Sequence, residues 1–338
     1  MKQINIGING FGRIGRLLTR IIIKDSKKGV IKAINDIMPI ESAAYLLKND
    51  SIYGQLDLDI DIKENNLIIN GNQIKYYQFK NINNIPWEDI DIEIFIESSG
   101  KIKTKQLEKI DNNIKKIVTH KDNSLDKTLI FGFNEKNYNP NKDKIISSGS
   151  CTAIATLPLI KIIKEKFGIK HCSFVTIHPL MGFNRTSDIS DQDFRLGRNS
   201  IVSTIPSKSG LKNSITKFFP ELKNKINCIK YYVPILGGTI INLSCIIKKN
   251  IKKEELIREL KKEINKNYFK TILYNCNKSF NTNKVSVDVL KTSYSVIINE
   301  EDIQYNSRNL NMILFLDNEW GYCKRLWDLI NYIGKNEK

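Results

Sequence analysis

The sequence predicts an α/β half built on a mostly parallel sheet, followed by an α+β half built on a mainly antiparallel one. Three observations predict it. The first 150 residues alternate short β-branched runs with helical patterns, the rhythm of strand–helix–strand units. Beyond residue 168 the strand-like runs mostly follow one another without a helix between each pair. The length of 338 residues suits two cores rather than one. The expected division is 1–150, 151–316 and a closing segment, 317–338, whose helix packs back on the first domain.

The composition narrows the class. Hydrophobic residues make up 41% and charged residues 26%, ordinary values for a globular protein. Met1-Lys2-Gln3 leads straight into a strand pattern, so no secretory leader is expected. No apolar run approaches the roughly 20 residues of a membrane helix. The six cysteines (151, 172, 228, 245, 276, 323) lack metal-site spacing and read as reduced cytoplasmic thiols. The net charge of +17 is spread along the chain without a nucleic-acid motif. It reads as a solvated basic surface, attractive to anionic metabolites. Neither a membrane nor a nucleic-acid partner is expected.

In chain order, Ile4, Ile6 and Ile8 alternate as on a strand. Gly10-Phe11-Gly12-Arg13-Ile14-Gly15 follows, then a helical run through Leu17, Leu18, Ile21 and Ile22. Val30 to Asn35 reads as the next strand, with Asp36 at its end, 21 residues after Gly15. A G-x-G-x-x-G alone is a weak signal. Between a strand and a helix, with an acid at the next strand end, it is a Rossmann dinucleotide fingerprint. The glycines let backbone approach a pyrophosphate at the helix N-terminus. A carboxylate at Asp36 would bind ribose hydroxyls and repel a 2′-phosphate, so NAD is favoured over NADP.

Ser42 to Lys48 reads as a helix. Leu56 to Ile62 and Asn66 to Ile74 read as a hairpin turning at Asn70-Gly71. Ile92 to Ile96 reads as a buried strand ending in Glu97-Ser98-Ser99-Gly100, with a helix to about Ile110. Strands are expected at Ile114–Thr119, Thr128–Phe133 and Lys144–Ser147. Asp36, Ser98, Thr119 and Cys151 then all fall at the carboxyl ends of strands, where ligands of such sheets bind.

Ser148-Gly149-Ser150-Cys151-Thr152 leads into a helix carrying Ile154, Leu157, Ile160, Ile163 and Phe167. Unpaired N–H groups at a helix N-terminus favour thiolate over thiol, and Cys is already nucleophilic near neutral pH. A buried structural cysteine is the other reading of Cys151. In the second half, strands are expected at His171–Ile177, Ile226–Val233, Thr239–Ile247, Val285–Leu290 and Asn311–Asp317. Helices are expected at Glu254–Asn267 and within Asn318–Gly334. Of the three histidines, His178, at a strand end 27 residues after Cys151, suits a base that moves protons for a thiol nucleophile. A satisfied structural histidine is the alternative. His120 lies at another strand end, and His171 reads as structural.

These segments together resemble the phosphorylating glyceraldehyde-3-phosphate dehydrogenases, nearly end to end. The resemblance is carried by Ile8 to Arg16, Ala33-Ile34-Asn35-Asp36, Glu97 to Gly100, Ser148 to Thr152, and Asp317-Asn318-Glu319-Trp320-Gly321-Tyr322. It implies Cys151 as nucleophile and His178 as base. It implies NAD held by Asn9, Gly10, Phe11, Gly12, Arg13, Ile14, Asp36, Lys80, Thr119 and Asn318. Ser150, Thr152, Arg198, Ser209 and Gly210 match the family's inorganic-phosphate site. The implied partners are an aldehyde and inorganic phosphate, and the implied assembly is a homotetramer with the loop after the histidine at subunit contacts.

The sequence also departs from the family. The asparagine of C-T-T-N is Ile154, and the usual second cysteine is Ala155. The threonine-bearing segment that grips the substrate's own phosphate reads Pro179-Leu180-Met181-Gly182-Phe183-Asn184. The arginine of R-V-P-T, which binds that phosphate, is Tyr232. Removing one charge-assisted hydrogen bond costs about 1.5–3 kcal/mol. Lys208, Lys212 and Lys230 are the nearby candidates to compensate. Erythrose 4-phosphate, or an aldehyde without a distal phosphate, is the rival substrate, and a non-catalytic NAD-fold binding protein the rival class.

Overall fold

The computed structural model describes residues 3–119, 125, 127–266, 271–275 (backbone alone at 273–275) and 284–337. His120 and Cys276 lie outside them. The chain divides into two compact units, 1–150 with 322–338, and 151–321.

The first unit carries a nine-stranded sheet. Its strands are β1 (Ile4–Asn9), β2 (Gly29–Asn35), β3 (Ile60–Lys63), β4 (Asn66–Ile69), β5 (Asn72–Tyr77), β6 (Ile94–Glu97), β7 (Lys115–Val118), β8 (Lys127–Thr128) and β9 (Ile145–Ser147). Their order is β3-β4-β5-β2-β1-β6-β7-β9-β8. Only the β3–β4 and β4–β5 pairs are antiparallel. β1 sits between β2 and β6 with Ile6 and Ile8 fully buried, and here the order of winding reverses. Ligands of doubly wound sheets bind at that reversal. Helix α1 (Arg13–Lys24) follows β1 and buries Leu17, Leu18, Ile21 and Ile22. α2 (Ile40–Lys48) follows β2, and α3 is a single turn, Thr104–Leu107.

Two close approaches seat the C-terminal segment in this unit. A Cβ at Gly29 would lie 2.6 Å from Trp327 Cη2, and one at Gly334 would lie 2.4 Å from Ile4 Cδ1. Both glycines therefore let other groups approach closely. The Trp327 indole N–H donates to Asp25 at 3.0 Å.

The second unit begins with helix α4 (Cys151–Phe167), followed by β10 (Ile169–Pro179), β11 (Ile205–Lys208), α5 (Leu211–Phe218), β12 (Ile226–Val233) and β13 (Thr239–Ile247). Then come α6 (Lys253–Ile264), β14 (Ile272–Asn275), β15 (Val296–Asn299), β16 (Gln304–Asn306) and β17 (Asn309–Leu316). The sheet runs β11-β12-β10-β13-β17-β15-β14, with β16 on β17. β10–β12 and β14–β15 are parallel pairs, and the others are antiparallel. Helix α7 (Trp320–Asn336) closes the chain.

Four expected elements are corrected, two of them by local hydrogen bonding. The predicted strand Thr128–Phe133 stops at Thr128. Asn134 accepts from the Ile130 N–H, and Glu135 from those of Gly132 and Phe133, which folds the chain into a turn. Val285–Leu290 contains a 3-10 turn at Ser286–Val289, because the Asp288 carboxylate captures the Val285 N–H at 2.8 Å. The single predicted hairpin is two. A second turn at Glu64-Asn65, with φ of 49° and 59°, joins β3 to β4. The predicted helix to Ile110 ends at Leu107. Among the described residues, no helix is long and apolar enough to cross a membrane.

Candidate active site

In the first unit, a cleft of about 270 Å³ opens at the carboxyl ends of β1, β2 and β6. Asn9, Gly10, Gly12, Asp36, Lys80, Ser98 and Ser99 are among its walls. The three glycines before and in α1 do different work. At Gly10, φ is +91° and a Cβ would lie 2.3 Å from the Ser99 nitrogen. At Gly15 a Cβ would lie 2.2 Å from the Gly10 carbonyl oxygen. At Gly12 a Cβ would meet nothing within 4 Å. The first two keep the strand, loop and helix in close contact, and the third leaves open space at the N-terminus of α1. That bare backbone end is what a pyrophosphate needs.

The cleft is braced by buried polar groups. Glu97 is fully buried and accepts from Asn9 Nδ2, the Ser99 hydroxyl and N–H, and the Gly100 N–H. Asn35 Nδ2 donates to Asn9 Oδ1 at 2.7 Å. Asp36 accepts from the N–H groups of Phe11 (2.5 Å) and Met38 (2.9 Å), which fixes its carboxylate at the cleft. Both carboxylate oxygens retain lone pairs for ribose hydroxyls. The donor and acceptor set fits NAD.

Not every expected cofactor residue lines that cleft. Phe11 is fully buried. The Arg13 guanidinium pairs with Asp50 and covers the Tyr53 ring at 5.5 Å. Burial alone would raise Asp50, but the N–H groups of Tyr53 and Ile52 and the Arg13 guanidinium hold its carboxyl below the ordinary range. The Ile14 carbonyl accepts from Cys323 Sγ. Thr119 continues β7, with its N–H and hydroxyl on the Glu97 carbonyl, and its own carbonyl accepts from Tyr322. The Tyr322 hydroxyl also meets Ser148 Oγ at 2.7 Å. The sequence did not single out Asn35, Glu97 or Tyr322 as holding this geometry. Their only signal was membership of the quoted motifs.

In the second unit, Cys151 is the first residue of α4 and keeps partial access to solvent. Surrounding protein nevertheless pushes its thiol up to about 11. The N–H groups of Thr152 and Cys151 and the Lys230 ammonium pull the other way, and Glu319 pushes further up. The thiolate expected from the helix terminus alone is therefore not the resting state: desolvation outweighs the dipole.

His178 lies near the end of β10, only 7% exposed. Its Nδ1 stands 2.8 Å from the Pro179 carbonyl, an acceptor, so Nδ1 carries the proton and Nε2 is the basic nitrogen. Burial, assisted by Lys230, lowers its pKa below the ordinary value and keeps the ring neutral. The parallel β10–β12 register sets Tyr232 opposite His178. Their rings meet edge-on at 5.5 Å, and Phe183 packs edge-on against the same tyrosine at 5.6 Å. Tyr232 is 4% exposed, and its hydroxyl accepts from Lys230 Nζ at 2.6 Å.

The remaining expected residues are engaged in local structure. Thr152 gives its carbonyl to Thr156 within α4. Ser209 Oγ accepts from the Leu211 N–H, and Gly210 precedes α5. Arg198 is exposed and pairs with Asp188 at 3.2 Å. None of the hydrogen bonds of Arg198 or Ser209 reaches Cys151 or His178. Asn318 is buried, and its Oδ1 accepts from Thr239 at 3.3 Å.

Residues 4–105 match the family described as "Glyceraldehyde 3-phosphate dehydrogenase, NAD binding domain", and residues 150–318 match "Glyceraldehyde 3-phosphate dehydrogenase, C-terminal domain". The chain belongs to the glyceraldehyde-3-phosphate dehydrogenase family. It is 32% identical over 340 residues to glyceraldehyde-3-phosphate dehydrogenase of Chlamydia pneumoniae, covering 99% of this chain and 100% of that one. It is 31% identical over 337 residues to glyceraldehyde-3-phosphate dehydrogenase 1 of Agaricus bisporus, covering 98% and 99%. It is 30% identical over 340 residues to glyceraldehyde-3-phosphate dehydrogenase 2 of Bacillus subtilis, covering 99% and 98%. As a member of this family the chain is an NAD-dependent oxidoreductase that acts on an aldehyde.

Proposed function

We propose that the protein oxidises an aldehyde through a thioester on Cys151 and releases the acyl group to inorganic phosphate. The observation that carries this reading is the neutral, Nδ1-protonated His178 in the same unit as the helix-terminal Cys151. Cys151 Sγ attacks the carbonyl carbon as the thiol proton passes to the carbonyl oxygen, which becomes the hydroxyl of a hemithioacetal. Nε2 of His178 takes the proton from the resulting hydroxyl. The Cys151 N–H donates to the developing oxyanion. NAD, when bound, would supply the acceptor for the hydride that leaves the same carbon. Phosphate then attacks the thioester, and the thiolate leaves as the acyl phosphate forms.

Asp36 and Lys80 are proposed to bind the adenosine side of NAD, with Gly12 facing the pyrophosphate and Asn318 contacting the nicotinamide amide. Ser150, Thr152, Arg198, Ser209 and Gly210 are proposed to receive phosphate. Phe183, Ile189, Phe194, Ile201 and Val202 are exposed apolar residues after His178. They support a homotetramer with this segment at subunit contacts. Glyceraldehyde 3-phosphate is the first substrate to test. Tyr232, buried between His178 and Phe183, favours a second reading, an aldehyde without a distal phosphate.

The test is NADH formation with glyceraldehyde 3-phosphate, with and without inorganic phosphate, beside Cys151→Ser. Phosphate-dependent turnover that disappears in the variant is expected. Turnover retained by Cys151→Ser refutes the thioester. Absence of turnover with NAD bound refutes the substrate and sends the assay to erythrose 4-phosphate and unphosphorylated aldehydes.

A further inference from the structure

The chain passes between its two units twice, at 150–151 and at 321–322. The two passages differ in kind. The second lies inside α7, which begins at Trp320. Asp317 caps that helix, with Oδ1 accepting from the N–H groups of Glu319 (3.0 Å) and Trp320 (2.7 Å). The first is the irregular segment 148–150, which leads from β9 into Cys151. A helix keeps its direction through its own hydrogen bonds, whereas an irregular link is directed by the groups around it.

Ser148 supplies that direction. Its N–H donates to the Val118 carbonyl at 3.0 Å, and its hydroxyl lies 2.7 Å from that of Tyr322. The Tyr322 hydroxyl places its one proton on the Thr119 carbonyl at 3.0 Å, so its oxygen accepts the Ser148 proton. Both side chains are only 5% exposed. Gly149 then turns the chain at a φ of +74°, with its N–H on Ser147 Oγ at 3.1 Å. One tyrosine hydroxyl on α7 thereby joins the end of β7 to the segment that enters α4. A pair of apolar groups of the same shape would be nearly as stable there. What the hydrogen bond adds is a fixed direction.

We propose that the Ser148–Tyr322 hydrogen bond positions Cys151, by fixing the short link through which the chain enters α4. Ser148 and Tyr322 act through the backbone of Gly149 and Ser150, as positioning residues rather than on the reacting atoms. The proposal rests on the reading of Cys151 as nucleophile. Attack on a carbonyl tolerates little displacement, and a misplacement of about 1 Å can lower the rate about a hundredfold.

The experiment compares the full-length protein with Tyr322→Phe, Ser148→Ala, Ser148→Thr and the double variant Ser148→Ala/Tyr322→Phe, each checked for native circular dichroism. Neither single loss strands its partner: Ser148 Oγ also lies 3.2 Å from the Val118 carbonyl, and Tyr322 keeps Thr119. Removing either hydroxyl is expected to speed amide hydrogen exchange in the peptide containing Ser148 and Cys151 about fivefold, read by mass spectrometry. It should lower kcat with glyceraldehyde 3-phosphate about tenfold or more and leave KM near the wild-type value. The double variant should lose no more than the worse single variant. Ser148→Thr, which keeps the hydroxyl, should retain most of the rate. Alkylation of Cys151 by iodoacetamide needs the thiol but no aligned substrate, so it should hold at the wild-type rate. Unchanged exchange in both single variants overturns the proposal whatever the aldehyde. So does an additive loss in the double variant, which marks two separate packing effects, or alkylation that falls with kcat, which marks a change in the thiol itself. Failure of the nucleophile reading is distinct and would appear as turnover retained in Cys151→Ser.

Discussion

Replacing Gly12 by alanine should separate cofactor binding from folding, because the space at Gly12 is empty in a way the spaces at Gly10 and Gly15 are not. An added methyl at Gly12 meets nothing within 4 Å, and its φ of −71° suits any residue. The folding cost is that of alanine at a helix N-cap, up to about 1 kcal/mol. The same methyl projects where a pyrophosphate would meet the N–H groups of α1. Removing one or two such hydrogen bonds costs about 1.5–3 kcal/mol, or roughly tenfold to a hundredfold in NAD affinity. At Gly10 the balance reverses. Alanine forced to positive φ costs about 1–2 kcal/mol. Its methyl would sit 2.3 Å from Ser99 N and 2.5 Å from Ser99 Cα, and overpacking of that kind costs about 1–3 kcal/mol. The sum, about 2–5 kcal/mol, is a large share of a typical stability of about 5–15 kcal/mol. Urea unfolding followed by circular dichroism, with NAD titration by calorimetry, measures both quantities. Gly12→Ala should unfold near the wild-type midpoint and bind NAD weakly, whereas Gly10→Ala should unfold early. Wild-type NAD affinity in a folded Gly12→Ala protein would refute this reading of the cleft.

Three further outcomes follow from ionisable groups. Glu97→Ala leaves the Asn9, Ser99 and Gly100 donors without their carboxylate, so it should cost about 3 kcal/mol or more in urea unfolding; a loss under about 1 kcal/mol contradicts that bracing. The depressed Asp50 carboxyl stabilises the fold above the ordinary carboxylate range, and that contribution is lost as pH falls through its lowered folded value. Acid unfolding of Asp50→Asn should accordingly show a shallower pH dependence than wild type. For His178, the lowered pKa places the acid limb of kcat/KM below the ordinary histidine value, and His178→Asn should remove that limb and about two to four decades of rate; a persisting limb assigns it to another group.

The parallel sheet was legible where a strand buried on both faces reads as an apolar run, as Ile94-Phe95-Ile96 does in β6. The place of Asp36 just after β2 was legible because a fingerprint fixes spacing as well as residue type. The two failed strands share one cause. Asn134, Glu135 and Asp288 redirect backbone N–H groups into turns, and their neighbours still look strand-like. The ionisation of Cys151 was misread for a different reason. A helix terminus is visible in sequence, whereas the desolvation that pushes the thiol to about 11 depends on packing. Lys230 was visible as a nearby lysine, but its seat on Tyr232 depends on β12 alternation and the β10 register together.

The central claim is an acyl thioester on Cys151. Intact-protein and peptide mass spectrometry after mixing the protein with NAD and glyceraldehyde 3-phosphate in phosphate-free buffer tests it most directly. An adduct confined to the peptide containing Cys151, discharged on adding inorganic phosphate, is the predicted result. NADH formation with that peptide unmodified, or with the adduct on another cysteine, would contradict the account.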